Sequence, residues 1–163
     1  MKQEISIVWL KRDLRWTDHE ALYMAQNQGL PILLIYCFEP SMMQNEDSDI
    51  RHWRFVYQSL QDMQRKLDSI NSKIFIFHDE VLNIFLKLDE VYRIQYIFSH
   101  QETGNKLSYD RDISINKFCI EHDIIWKEFQ QNGVIRKLKS RRDWEKRWKE
   151  KMLEPPAYID ERF

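Results

Sequence analysis

Glycine is nearly absent. Gly29, Gly104 and Gly133 are the only three in 163 residues, too few and too scattered for a GxGxxG fingerprint or a GxxxxGK phosphate loop. Nucleotide sites built on such loops are thereby excluded. Cysteine is scarce too. Cys37 and Cys119 stand in no paired spacing, which argues against a disulfide scaffold or a four-thiolate zinc site and suits a reducing compartment. No stretch approaches the roughly 18 apolar residues of a spanning helix, and Met1 to Ile7 carries Glu4 and no long apolar run. No membrane partner is expected, and the chain reads as cytoplasmic. An excess of one charge is also lacking, because 25 Lys and Arg face 26 Asp and Glu, a net charge of −1. A surface that coats nucleic acid over its whole extent is therefore excluded, and any basic patch must be local. With 43% hydrophobic and 31% charged residues, the chain can bury a core and is not a disordered tail.

What is present is alternation. Strand-like runs cover residues 5–10, 31–38, 73–77, 94–98 and 124–129, with helical patterns between them. The first two, ISIVWL and PILLIYCF, are nearly continuous apolar runs, as in strands covered on both faces. Thr17 to Glu20 reads TDHE, the pattern of a capping box, and opens a helix that ends near Gly29. From about Ile50 to Ile70, Trp53, Val56, Tyr57, Leu60, Met63, Leu67 and Ile70 fall at steps of three or four and make one apolar stripe. Val81, Phe85, Leu88 and Tyr92 mark a third helix, and Tyr109 to about His122 a fourth. Five alternations predict right-handed crossovers and an α/β fold: a doubly wound, Rossmann-like, five-stranded parallel sheet of order 3-2-1-4-5 with helices on both faces.

Beyond the last strand the character changes. Residues 136–151 hold nine Lys or Arg against Asp143, Glu145 and Glu150. We therefore divide the chain into an α/β domain, 1–134, and a basic linker helix and polar tail, 135–163. Arg136, Lys137, Lys139, Arg141 and Arg142 suit phosphate contacts. Trp144, Trp148 and Met152 mark one helical face, so the bland alternative is a linker helix that docks through its tryptophans.

In an open α/β sheet, ligands bind beyond the carboxyl ends of the strands where the order reverses, here between the first and fourth strands. Two polar loops leave those strands, Lys11-Arg12-Asp13-Leu14-Arg15-Trp16 and Ser99-His100-Gln101-Glu102-Thr103-Gly104-Asn105. The cations of the first suit an acidic ligand, and Gln101 and Glu102 suit donors on a heterocycle. The bland alternative makes Asp13 a salt-bridge partner of Arg12 and Arg15. His100 and Glu102 have no third partner at metal-ligand spacing, so no metal site is expected. Cys37 reads as a buried thiol and His78 as a helix cap, while His19, His52 and His122 belong to no motif.

The segment ISIVWLKRDLRWTDHEAL, from Ile5 to Leu22, resembles the opening of the DNA photolyase and cryptochrome family. YCFEP, the helix start RHWRFVYQSL, the SHQETGN loop and QNGVIRKLKSRRDW resemble the same family's amino-terminal domain in order and spacing. The resemblance covers nearly the whole chain. It implies the light-harvesting half of a flavoprotein lyase: an α/β domain holding an antenna chromophore, followed by a helical domain that binds FAD and receives damaged DNA. Folate, deazaflavin and flavin antennas all occur in the family, and the sequence does not select one. By position the antenna pocket would involve Trp9, Lys11, Arg12, Phe38, Glu39, His100, Gln101 and Glu102, with a planar heterocycle against Trp9 or Phe38. Glu102 resembles the acidic residue that some folate-binding members use. No catalytic residue is expected in this chain, because the FAD cavity and lesion surface belong to the second domain. A cryptochrome photoreceptor and a free-standing nucleotide-binding module remain as alternatives.

Overall fold

A computed structural model describes residues 1–136, 138 and 140–160; Lys137 and Lys139 of the basic segment lie outside the described residues. Its five strands are β1 (Glu4–Leu10), β2 (Ile32–Cys37), β3 (Ile74–Phe77), β4 (Arg93–His100) and β5 (Ile125–Phe129). All pairings are parallel and the order is β3-β2-β1-β4-β5, as the alternation predicts. The central strand explains the unbroken run ISIVWL. Ile5, Ile7 and Trp9 face one core cluster and Val8 and Leu10 the other, so successive side chains are buried on opposite faces.

Helices α1 (Glu20–Gln26) and α3 (Ile50–Asp68) cover one face, placing Ala21, Leu22, Ala25, Leu60, Met63 and Leu67 against Val8, Leu34 and Phe98. Helices α4 (Val81–Val91) and α5 (Lys106–Glu121) cover the other through Ile84, Phe85, Ile115 and Phe118. A single turn, α2 (Pro40–Met43), which the periodicity did not announce, follows β2.

Several local readings change. The cap of α1 is His19, whose Nδ1 accepts the Leu22 N–H, and not Thr17. A box from Thr17 to Glu20 would need helical backbone at Asp18, which instead has φ +53°. Tyr57, expected on the α3 stripe, is exposed because the buried ridge is Leu60, Met63 and Leu67. His78 caps nothing: α4 begins after Glu80, and His78 is exposed. Helix α5 starts three residues early, at Lys106, where the Asn105 side chain accepts the Ser108 N–H.

The chain after β5 returns to the sheet. Helix α6 (Trp144–Met152) docks through its tryptophans, the indole N–H of Trp144 donating to the Gly133 carbonyl at 3.0 Å, while Lys151 reaches Glu20 at 3.2 Å. The tail adds Ile159 to the core, a contribution its polar surroundings concealed. Gly133 is required by close approach, because a Cβ there would collide with the Trp148 ring. Gly133→Ala should therefore change global unfolding by less than about 1 kcal/mol, since α6 buries no residue, yet speed tryptic cleavage at Arg147 severalfold. Limited proteolysis beside urea denaturation measures both.

Candidate functional site

The strand ends at the order reversal carry two polar assemblies, one on each face of the sheet. Alternation along the strands separates them: Trp9 and Lys11 emerge toward α4 and α5, whereas His100, two residues beyond Phe98, emerges toward α1.

On the α1 side Asp13 is the hub. Its Oδ1 accepts the Lys11 backbone N–H at 2.7 Å, and its Oδ2 lies 2.5 Å from His100 Nδ1 and 3.0 Å from His19 Nε2. All three side chains are buried, and the two imidazoles meet edge to face at 4.7 Å. Asp13 thus pairs with neither Arg12 nor Arg15; Arg15 donates to the carbonyls of Thr17 and Asp18. Burial alone would raise the Asp13 pKa. Hydrogen bonding to His100 and His19 outweighs that and holds the carboxyl far below the usual carboxylate range. Three such groups suggest a metal set, but the donor chemistry opposes it. An Nδ1 that accepts from Leu22 bears no proton, so the His19 proton sits on Nε2 and blocks that atom as a ligand.

On the α5 side lies an ion network of Lys11, Arg12, Arg111 and Arg136 with Glu39, Glu102, Asp112 and Glu128, four cations against four carboxylates. Arg111 is its centre. It donates to Glu39 at 2.8 Å, contacts Asp112 at 3.0 Å and Glu102 at 3.5 Å, and its guanidinium carbon lies 4.7 Å above the Trp9 ring. Arg136 clasps Glu128 at 2.8 Å, Asp112 at 3.1 Å and the Glu102 carbonyl, so it joins carboxylates rather than presenting itself to phosphates. Lys11 is enclosed. Its Nζ sits 4.0 Å over Trp9, 3.5 Å from Asp112 and 3.6 Å from Glu128, with no hydrogen bond among the described residues. Burial lowers its pKa, with Asp112 pulling upward. Burial raises the pKa of Glu39 and of Glu128, against the pull of Arg111 and of Lys11 with Arg136 respectively. Gly104 backs onto the Arg12–Glu102 pair, where a Cβ would come within 3.1 Å of the guanidinium and 3.2 Å of the carboxylate.

The eight expected residues therefore divide. Lys11, Arg12, Glu39 and Glu102 belong to the network, with Trp9 beneath it. His100 belongs to the Asp13 assembly. Phe38 packs on Tyr36 and Trp53 on the α1 and α3 side, and the Gln101 backbone N–H donates to Phe129. Trp9 is not the open stacking surface expected of it. It is 1% exposed, between Phe85, Trp126 and the two cations, which leaves Phe38 as the half-buried ring. Arg111 and Asp112 escaped the sequence reading, yet Asp112 carried a signal: it shares the buried register of Ser108, Ile115 and Cys119 on α5, where a charge needs a partner. Cys37 and Cys119 are buried thiols pushed up to about 12 by burial, which favours the protonated form.

For a planar heterocycle with polar edges, the donor set fits. The Arg111 fork is already engaged by Glu39 and Asp112, and the buried polar atoms of the network whose hydrogen bonding is incomplete are the Lys11 Nζ, a donor, and the Glu128 Oε1, an acceptor.

A doubly wound domain with this order-reversal site is the class that the geometry defines. A family model for DNA photolyase matches residues 6–157, and the chain belongs to that family. Cryptochrome-2 of Gallus gallus is 29% identical over 119 residues, 71% of this chain and 20% of that protein. Cryptochrome DASH of Synechocystis is 26% identical over 113 residues, 66% of this chain and 23% of the relative. The archaeal photolyase of Sulfolobus tokodaii, solved with two FAD molecules, superposes with a TM-score of 0.78 at 18% identity, covering 96% of this chain and 37% of its own. A Synechocystis cryptochrome structure gives a TM-score of 0.73 at 22% identity, over 82% of this chain and 28% of that one. These likenesses show the fold, and the chain spans about a fifth of the length of the curated relatives.

Asp13→Asn should cost about 3–5 kcal/mol at pH 7, because it leaves two buried imidazoles without their carboxylate. The sign with pH follows from a folded pKa below the unfolded value of about 3.9: Asp13 stabilises fully above that value and progressively less below it. Urea denaturation at pH 7 and pH 3 should show the gap between wild type and Asp13→Asn narrowing in acid; a gap independent of pH would contradict this assignment.

Proposed function

We propose that the chain is the amino-terminal, light-harvesting domain of a photolyase-type flavoprotein, whose FAD and damaged-DNA site reside in a carboxy-terminal helical domain. The observation that carries this reading is the network at the order reversal. It sets a planar cation, two buried carboxylates and an incompletely hydrogen-bonded lysine at the place where ligands enter open α/β sheets. The family match supports the parent's class, a lyase acting in light-driven DNA repair. A bound antenna would absorb light and pass the excitation to the flavin. Toward it, Glu39, Glu102 and Arg111 would fix the polar edge, Arg12 and Gln101 would line the mouth, and Phe38 would offer a ring; His100 holds the loop, Trp9 lies beneath Arg111, and Lys11 is held between Asp112 and Glu128. The antenna is a folate, a deazaflavin or a flavin. No helix among the described residues is long and apolar enough to cross a membrane, and the two free thiols suit a cytoplasmic location.

A second reading, the same domain of a cryptochrome photoreceptor, is favoured by the curated relatives named above, which are cryptochromes. Light-dependent repair by the chain together with its FAD domain would separate the two. For the domain itself, titration with FMN, a reduced folate and a deazaflavin, followed by tryptophan fluorescence, should find one that binds one to one. Glu102→Gln should weaken it about tenfold, as expected for a hydrogen bond to a charged group. Binding by none of the three would refute the antenna role.

A further inference from the structure

The basic segment that leaves β5 keeps charge that neither polar site uses. Residues 136–151 hold nine Lys or Arg against three carboxylates in a chain of net charge −1, so the remainder of the molecule is net negative. Arg136 is committed to Glu128 and Asp112, and the lysines of α6 are engaged as well. Lys149 pairs with Glu145 at 2.7 Å and Lys146 with Glu150 at 4.0 Å, while Lys151 holds Glu154 at 2.6 Å and Glu20 at 3.2 Å. The arginines differ. Arg141, Arg142 and Arg147 are exposed, and their guanidinium groups have neither a hydrogen bond nor an ion pair among the described residues.

One carboxylate of the segment, Asp143, is likewise unpaired among the described residues, which leaves three free cations against one free anion. Lys137 and Lys139, outside the described residues, add two positive charges from the same stretch. The loop under α6 supplies no opposing charge, because it reads Gln130, Gln131, Asn132 and Gly133. Trp144 and Trp148 hold α6 to that loop: the Trp144 N–H donates to the Gly133 carbonyl, and the Trp148 ring abuts Gly133. Free guanidinium forks placed close along the chain match a polymer of phosphates better than one small anion, since each fork takes two phosphate oxygens.

We propose that Arg141, Arg142 and Arg147 form a docking surface for the phosphodiester backbone of nucleic acid, without preference for base sequence or damage. This surface is independent of the antenna reading, because the two share no residue. Fluorescence anisotropy with the full chain and a short, labelled, undamaged DNA duplex tests it. Binding should weaken steeply between about 50 and 200 mM salt, as counterion release requires. Arg141→Gln, Arg142→Gln and Arg147→Gln together should lower the affinity about tenfold or more at the lower salt. They should also reduce the slope of log K against log salt by about 2.7, the share of three phosphate contacts. Arg54→Gln, Lys66→Gln and Lys127→Gln together remove the same charge from exposed positions elsewhere and should change the affinity less than about twofold. Circular dichroism should find both triple variants folded, since exposed charges contribute little to stability. The absence of salt-dependent binding, equal losses in the two triple variants, or equally tight binding to polyglutamate or to phosphatidylglycerol vesicles would overturn the proposal.

Discussion

One buried carboxylate organises the functional end of this domain. Asp13 joins the loop after β1 to the start of α1 through His19, and to the end of β4 through His100. Its third bond, from the Lys11 N–H, turns the chain so that the Lys11 side chain enters the opposite face over Trp9. A carboxylate without exposure is tolerable only with such partners, because an isolated ion in the interior would cost far more than the fold can supply. The need for partners ties the connection between β1 and α1 to the end of β4, 87 residues away in sequence. It also explains why the segments that resemble the photolyase family, KRDLR, TDHE and SHQE, each contribute one member.

From that constraint the second assembly follows. With Lys11 committed beneath Trp126 and beside Asp112, the carboxylates of α5 and β5 acquire a buried cation, and Arg111 and Arg136 complete the balance. Arg136 extends the network to the segment leading toward α6, so the route out of the sheet is fixed to the same charges as the candidate chromophore site. A buried network of this kind contributes less to stability than to geometry, since its desolvation offsets much of its attraction. Its role here is to hold the loops after β1, β2 and β4 at fixed separation.

Much of the fold was legible because its signals are dense. A strand buried on both faces must be apolar throughout, and ISIVWL and PILLIYCF said so. The amphipathic α3 declared its length, although Tyr57 lies off the ridge. The site was legible by position and illegible by partner. The switch-point rule found Lys11, Arg12, His100 and Glu102, but nothing local tells which face of the sheet a residue past the strand end will take, and Phe38 and His100 take the other one. His19 looked like an ordinary helix-start residue, because its role is set by Asp13 and by the positive φ at Asp18. Arg136 looked like a phosphate contact because three carboxyl and carbonyl partners converge on it only in three dimensions.

The central claim is that Asp13 fastens the loop after β1, the start of α1 and the end of β4 into one unit. Hydrogen exchange read by mass spectrometry on Asp13→Asn tests it directly. The account predicts that protection falls together in peptides spanning 11–22 and 98–105, while β3 and α4 keep theirs. Loss confined to residues 11–13, with His19 and His100 regions unchanged, would contradict it.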